Sequence, residues 1–241
     1  KRMIRRHKKM ILFGMKRGLC TLAAAAILGL QVFGSGGKEE ETIPITISNA
    51  ASIIGSLETK KPGTYTIVIE GESNNSHRDD FDGITENLRA LPEGYFIHLD
   101  LAQVRTRWID FSQLNNIECL VTLILPTTLE LLNYPEGPNL SNSPGFVEGC
   151  KNLSNIFIPA GFPDTYRNVE FLLRGINTCP NLKFTVDPEN QDLSTDETGS
   201  MLLSKDGATL YCWPSAAGSV TLPKTITKIS RYAFEGNTSI T

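Results

Sequence analysis

The sequence predicts an α/β chain built as a solenoid of stacked strand-and-return units, and three observations predict it. An apolar frame closed by proline recurs along the chain, the segments inside it alternate as strands do, and helix and strand patterns precede it. A unit of this kind cannot bury its apolar side alone, so neighbours stack around one continuous core. The strands of successive units then form a parallel sheet, with frame residues inward and alternate residues outward.

Composition sets the outer bounds. At 241 residues, 40% hydrophobic, 20% charged and 8% aromatic, the chain is neither collagen-like, coiled-coil nor wholly disordered. The length suits one large domain or two small ones. The net charge of −3 hides an asymmetry: residues 1–36 hold eight basic groups and no acidic one. Of 23 basic and 26 acidic groups, the rest of the chain therefore keeps 15 and 26, a balance of −11. An acidic body argues against nucleic acid as a partner, since that binding rests on clustered Lys and Arg.

The first segment reads as an export address. Met15-Lys16-Arg17 precedes an apolar run from Gly18 to Phe33, then Gly34-Ser35-Gly36-Gly37. These are the parts of a secretory signal peptide over residues 1–36, with Met15 as its start. The run is short of the roughly 20 residues that span a bilayer, so no membrane insertion is expected after cleavage. Cys20 stands at the beginning of the run rather than its end, against a lipid anchor. The expected location is exported, either periplasmic or at the cell surface.

Residues 37–94 fit no repeat and read as an α/β N-terminal cap. Asn49 to Leu57 has a helical pattern, Thr64 to Glu70 alternates as a strand, and Phe81 to Leu91 is helical again. Asp79-Asp80 stand at the positive end of that second helix.

The frame is clearest in Cys150 to Pro159: apolar Leu153, Ile156 and Ile158 follow Cys150 at three, six and eight positions, and Pro159 at nine. Laid on Ile117 it gives Leu120, Leu123, Leu125 and Pro126. One unit earlier it gives Phe96, Leu99 and Leu101, with Ala102 in the proline place. Cys179 restarts it with Leu182 and Pro188, Phe184 and Val186 showing the alternation slipped by one residue. Val220-Thr221-Leu222-Pro223 reads as a last copy. The proline-equivalents lie 24, 33, 29 and 35 residues apart, a base period near 24 with insertions near 127–146, 160–175 and 189–218. A second apolar landmark, three residues before the frame's first position, falls on Leu114, Val147, Ile176 and Phe234.

Two of these segments carry a resemblance. Val220 to Ile229, continued by Ser230-Arg231-Tyr232-Ala233-Phe234-Glu235-Gly236-Asn237, resembles the "VTLPxSVTxIxxxAFxGC" unit of BspA-like bacterial leucine-rich repeat proteins, with Asn237 in the Cys place. Val186-Asp187-Pro188-Glu189-Asn190 through Leu202 to Pro214 is similar to that family's inserted hairpin. The resemblance covers residues 95–241. It implies a right-handed leucine-rich-repeat solenoid, with a parallel β-sheet on the concave face behind the N-terminal cap. It also implies an exported or surface protein that binds other macromolecules, host matrix proteins among them, without catalysis. The sequence stops at Thr241 after a fresh "GNTSIT" opening, and an uncapped last rung would offer a contact for a homodimer.

Four cysteines follow the export segment: Cys119, Cys150, Cys179 and Cys212. An even number in an exported protein admits disulfides. The frame offers free, buried thiols instead: Cys150 and Cys179 hold a turn position that Asn237 also fills, where either residue can hydrogen-bond to the turn. The other motifs read as surface. His77-Arg78-Asp79-Asp80 echoes a kinase triplet without its phosphate loop. Residues 34–38 lack the first Gly and the Ser or Thr of a P-loop. Asp80-Phe81-Asp82-Gly83 would set Arg78 and Arg89 at calcium-ligand positions. Asp187, Glu189, Asp192, Asp196 and Glu197 form a charged loop in the insert. No catalytic set, metal site or cofactor is expected.

The functional expectation rests on the outward strand positions: His98 and Asp100, Thr122 and Ile124, Asn155 and Phe157, Thr185 and Asp187, and Thr221. With rungs about 4.8 Å apart, Ile124 and Phe157 should be neighbours. Either they form a contact patch, or the inserts at 127–146 and 160–175 fold over them. The patch reading makes the chain a recognition module for a protein or peptide. The other reading is a structural role in the cell envelope, through association of the C-terminal repeat.

Overall fold

The computed structural model describes residues 45–72, 79–106, 108–109, 114–127, 131–132, 146–162, 169 and 172–241. The segment read as an export address, with Met15 and Cys20, lies outside those residues, as do much of the predicted inserts near 127–146 and 160–175 and the pair His77-Arg78.

Strand β1 (Ile45–Thr46) leads into α1 (Ile47–Ser56), where the Thr46 N–H donates to Asn49 Oδ1 at 2.8 Å, one half of a capping box. The helix buries Ile47, Ala50 and Ile54, the one-face spacing of a helix lying on a core. A short 3-10 turn (Leu57–Thr59) delivers the chain to β2 (Thr64–Glu72), which buries Tyr65, Ile67 and Ile69 in strict alternation. Helix α2 (Asp79–Ala90) repeats the pattern with Phe81, Ile84 and Leu88. The two helices touch closely. A Cβ on Gly83 would stand 3.0 Å from that of Ala51, and Asn87 Nδ2 donates to the carbonyls of Ala51 and Gly83 at 2.9 and 2.8 Å.

Strand β3 (Phe96–Arg105) follows, then the two-residue β4 (Trp108–Ile109), β5 (Leu120–Ile124), β6 (Leu131–Leu132), β7 (Asn155–Ile158) and β8 (Lys183–Val186). The main sheet has six strands in the order β1-β2-β3-β5-β7-β8, and every neighbouring pair in it is parallel. Each new strand is laid beside the previous one, so the molecule is an α/β protein with a sequentially stacked parallel sheet. Ile67, Leu99, Leu123, Ile156 and Phe184 pair in register across five strands, each at most 2% exposed. That apolar ladder is the spine of a core running from Ile45 to Tyr232.

The N-terminal elements are continuous with the repeats. Strand β2 joins the same sheet through β3, and both helices pack into the same apolar cluster. The predicted helices begin earlier than the pattern suggested, at Ile47 and Asp79, and β1 was not foreseen, because two residues carry no periodicity.

Two predicted frame positions are corrected. Phe96 is 43% exposed, and Ile97 takes the buried place, pairing with Leu120 ahead of a register shift. The frame spacing of three, six and eight contains an irregular step that β3 does not have. Val220 to Pro223 forms no strand and adds nothing to the six-stranded sheet, which ends at β8. There Phe184 N–H donates to Gly199 O at 2.7 Å, so the insert occupies the edge where another rung would pair.

The insert builds a second sheet. Strands β9 (Leu193–Thr195), β10 (Leu202–Ser204) and β11 (Thr209–Cys212) are antiparallel, and β12 (Lys228–Ile229) adds parallel to β11. Beside it lies a small cluster of Met201, Leu203, Leu210 and Ala233, packed by Trp213, Leu222, Ile226 and Phe234. Of the four return landmarks, Leu114, Val147 and Ile176 are fully buried in the main core, whereas Phe234 is half-buried in this smaller one.

Candidate binding face and repeat turns

The repeat turns are built by a ladder of side-chain donors. Cys150 Sγ donates to Leu114 O at 3.1 Å, and Cys179 Sγ donates to Val147 O at 3.4 Å. Each thiol reaches back to the landmark carbonyl of the preceding unit. Asn237 acts in the same way with an amide: its Nδ2 donates to Ala216 O at 2.8 Å, while its Oδ1 accepts from the Ser239 and Ile240 N–H groups. In the unit whose first frame residue is Ile117, the sulfur sits two residues later. There Cys119 Sγ donates to Leu88 O at 3.2 Å, tying the first repeat to α2.

The four cysteines among the described residues, Cys119, Cys150, Cys179 and Cys212, are buried and free. Burial pushes the thiols up, Cys150 to about 11 and Cys119 and Cys179 to about 12, so they stay neutral donors at ordinary pH. The residue before three of these positions has positive φ: Asn116 before Ile117, Gly149 before Cys150 and Gly236 before Asn237. At Gly149 there is no room for more than hydrogen, since a Cβ would lie 2.1 Å from Asn116 Oδ1.

Register sets the outward face as two rows. One runs Thr66, His98, Thr122, Asn155, Lys183; the other runs Val68, Asp100, Ile124, Phe157, Thr185. The predicted neighbours Ile124 and Phe157 are direct cross-strand partners, and both are half-buried. In the first row His98 Nδ1 and Thr122 Oγ1 share a hydrogen bond at 2.9 Å. Between the rows Thr185 Oγ1 donates to Asn155 Oδ1 at 3.2 Å. Thus His98 and Thr122 are held together, Asn155 and Thr185 are held together, and the apolar pair lies beside them.

Asp100 sits between Val68 and Ile124 at a β-bulge. Its Oδ1 accepts the Ala102 N–H at 2.8 Å, the local bond by which an Asp side chain closes a turn. Partial burial between apolar neighbours raises its carboxyl above the ordinary value, against the pull of that bond. Asp187, predicted on the same face, closes a turn instead, with Oδ1 accepting the Glu189 N–H at 2.8 Å. Thr221 is exposed and stands apart from the six-stranded sheet.

One residue of consequence carried no predicted role. Asn190 is fully buried and makes four hydrogen bonds: Nδ2 to Pro159 O and Phe162 O, Oδ1 from the Asp192 and Leu193 N–H groups. It fastens the insert to the turn after β7. The signal was an Asn between a Pro-containing turn and an apolar strand, which reads equally well as a surface loop.

Among the described residues no cluster of three or more His, Cys, Asp or Glu could hold a metal ion, and no helix is long and apolar enough to cross a membrane. Neither protein-family models, curated proteins nor solved structures gave a match to this chain.

Proposed function

We propose that this chain is an exported, non-catalytic recognition module of the leucine-rich-repeat type, docking a protein or peptide on the outward face of its parallel sheet. The observation that carries this reading is the in-register pair Ile124–Phe157, half-buried and flanked by the polar groups of His98, Asp100, Thr122, Asn155 and Thr185. Adjoining apolar side chains inside a polar surround are the usual anatomy of a contact patch. The solenoid assignment is supported by the sequential parallel strand order and by the ladder of turn donors from Cys119 to Asn237. Export is supported by the basic and apolar segment that begins at Met15, with the periplasm and the cell surface both consistent with it.

The test is a double variant, I124S/F157S, offered beside the unaltered chain to host matrix proteins and to envelope extract. An unchanged thermal unfolding curve with lost binding supports the reading. A double variant that unfolds would overturn it, because the pair would then belong to the core.

A second reading, assembly within the cell envelope, has one observation in its favour. Among the described residues strand β12 is an edge strand paired only to β11, and Ile229 on it is 51% exposed. Concentration-dependent light scattering that Ile229→Lys abolishes would favour association through this edge, in a homodimer or a longer array.

A further inference from the structure

The outward face carries a carboxylate that no cation among the described residues compensates. Among the described residues no Lys or Arg pairs with Asp100, whose one hydrogen bond is to the Ala102 N–H at Oδ1. Its cross-strand neighbours are Val68 on one side and Ile124 on the other, with Phe157 one strand further. An ionised carboxylate held half-buried among apolar groups gains from a cation that also brings apolar surface. The body of the chain, with 26 acidic groups and 15 basic ones after residue 36, attracts the same sign of partner.

We propose that Asp100 is the specificity determinant of this face, selecting an extended segment of a partner protein that sets a Lys or Arg beside a bulky apolar residue. The spacing follows from the sheet. Strands lie about 4.8 Å apart, so the seam between Ile124 and Phe157 is about 7 Å from Asp100 along the row. An extended peptide advances about 6.7 Å over two residues, with both side chains on one side. A segment crossing the strands therefore brings its basic residue to Asp100 and an aliphatic or aromatic residue, two positions away, to the seam. The cation relieves the cost that burial imposes on Asp100, and the apolar partner completes the burial of Phe157. This assignment rests on the recognition reading of the face.

The experiment pans a random dodecapeptide display library on the full chain, on D100N and on I124S/F157S, each first shown to be folded by a cooperative thermal transition. The unaltered chain should enrich peptides with Lys or Arg two residues from Phe, Trp, Leu or Ile. D100N should keep the apolar enrichment and lose the basic one. A synthetic peptide from the enriched pool should bind D100N at least tenfold more weakly, with an affinity for the unaltered chain that falls as salt is raised. Should D100N fail to fold, Asp100→Ser carries the same expectation. Equal basic enrichment on D100N, or pools without basic residues that still depend on Ile124 and Phe157, would overturn the role of Asp100 and leave the recognition reading standing. No enrichment on the unaltered chain, or the same pool on I124S/F157S, would overturn both.

Discussion

The six-stranded sheet and the four-stranded sheet of the insert are held in different ways. The first rests on an unbroken row of apolar side chains, Ile67 to Phe184, inside one large cluster that the two helices and the repeat turns also enter. The second has a cluster of four buried residues and is shaped by polar turn closures at Asp196, Asp206 and Asn190. Its anchors to the large core are Leu193, Leu202, Cys212 and Tyr232. Adding parallel strands side by side extends one apolar core across the sheet, whereas an inserted hairpin has only its own small face to bury. The lesson is that one chain can place cooperative stability in its stack and local order in its insert.

The comparison is broken most directly at Ile156, in the middle of the ladder. Ile156→Ala is expected to cost about 2–5 kcal/mol and to lower one common urea transition for both sheets. Leu203→Ala, 8% exposed in the small cluster, should speed amide exchange in β9–β12 while leaving β3, β5 and β7 protected. If both variants act alike in hydrogen exchange, the two regions are one cooperative unit.

Next in size is the joint between the regions. Asn190→Ala strips partners from the Pro159 and Phe162 carbonyls and from two N–H groups, and each buried group left unpaired costs about 1–3 kcal/mol. Limited proteolysis should then cut between Asp187 and Leu193 before any site in the six-stranded sheet. Within the stack, Gly149→Ala forces a side chain onto a backbone at φ 79° and into Asn116 Oδ1. A loss of about 1–3 kcal/mol is expected in denaturant unfolding, with the repeat turns around residues 116 and 149 responding together.

The smallest effects have opposite signs in the two regions. Asp100 has its carboxyl raised above 3.8 by desolvation, so its contribution to stability is present below that value and lost as pH rises through the raised one. Asp100→Asn should remove this dependence and leave the chain slightly more stable at neutral pH. At Asp196 desolvation also acts upward, but hydrogen bonds from Thr198, Met201 and Ser200 outweigh it and lower the carboxyl below 3.8. Its contribution is present above 3.8 and lost as pH falls through the lowered value, so Asp196→Asn should destabilise β9–β10 at neutral pH. Unfolding curves of the two variants between pH 3 and pH 7 check both signs. The thiols sharpen the same contrast: with Cys150 at about 11 and Cys119 and Cys179 at about 12, none should react with an aromatic disulfide at pH 8 until the stack unfolds.

Much of the stack was legible because its cause is local. The interval from Cys150 to Pro159 names the buried residues Leu153, Ile156 and Ile158, since strand alternation and a repeated turn act over ten residues at a time. The same reasoning placed Ile124 beside Phe157, and it put Cys150, Cys179 and Asn237 at equivalent turns. It went astray at Phe96, where β3 lacks the irregular step of its neighbours, and at Val220 to Pro223, where a good repeat motif forms no strand.

By itself, then, the sequence determined the α/β class, the inward and outward sides of β5, β7 and β8, and the chemistry of the turn positions, because all three follow from short-range spacing. Only the tertiary structure decided that the N-terminal strand enters the same sheet, that Asn190 is buried, and that the insert occupies the edge of β8. It also decided that Asp100 stands between Val68 and Ile124. Those outcomes depend on which segments meet across dozens of residues, and such meetings are selected by the free energy of the assembled core rather than by any local pattern.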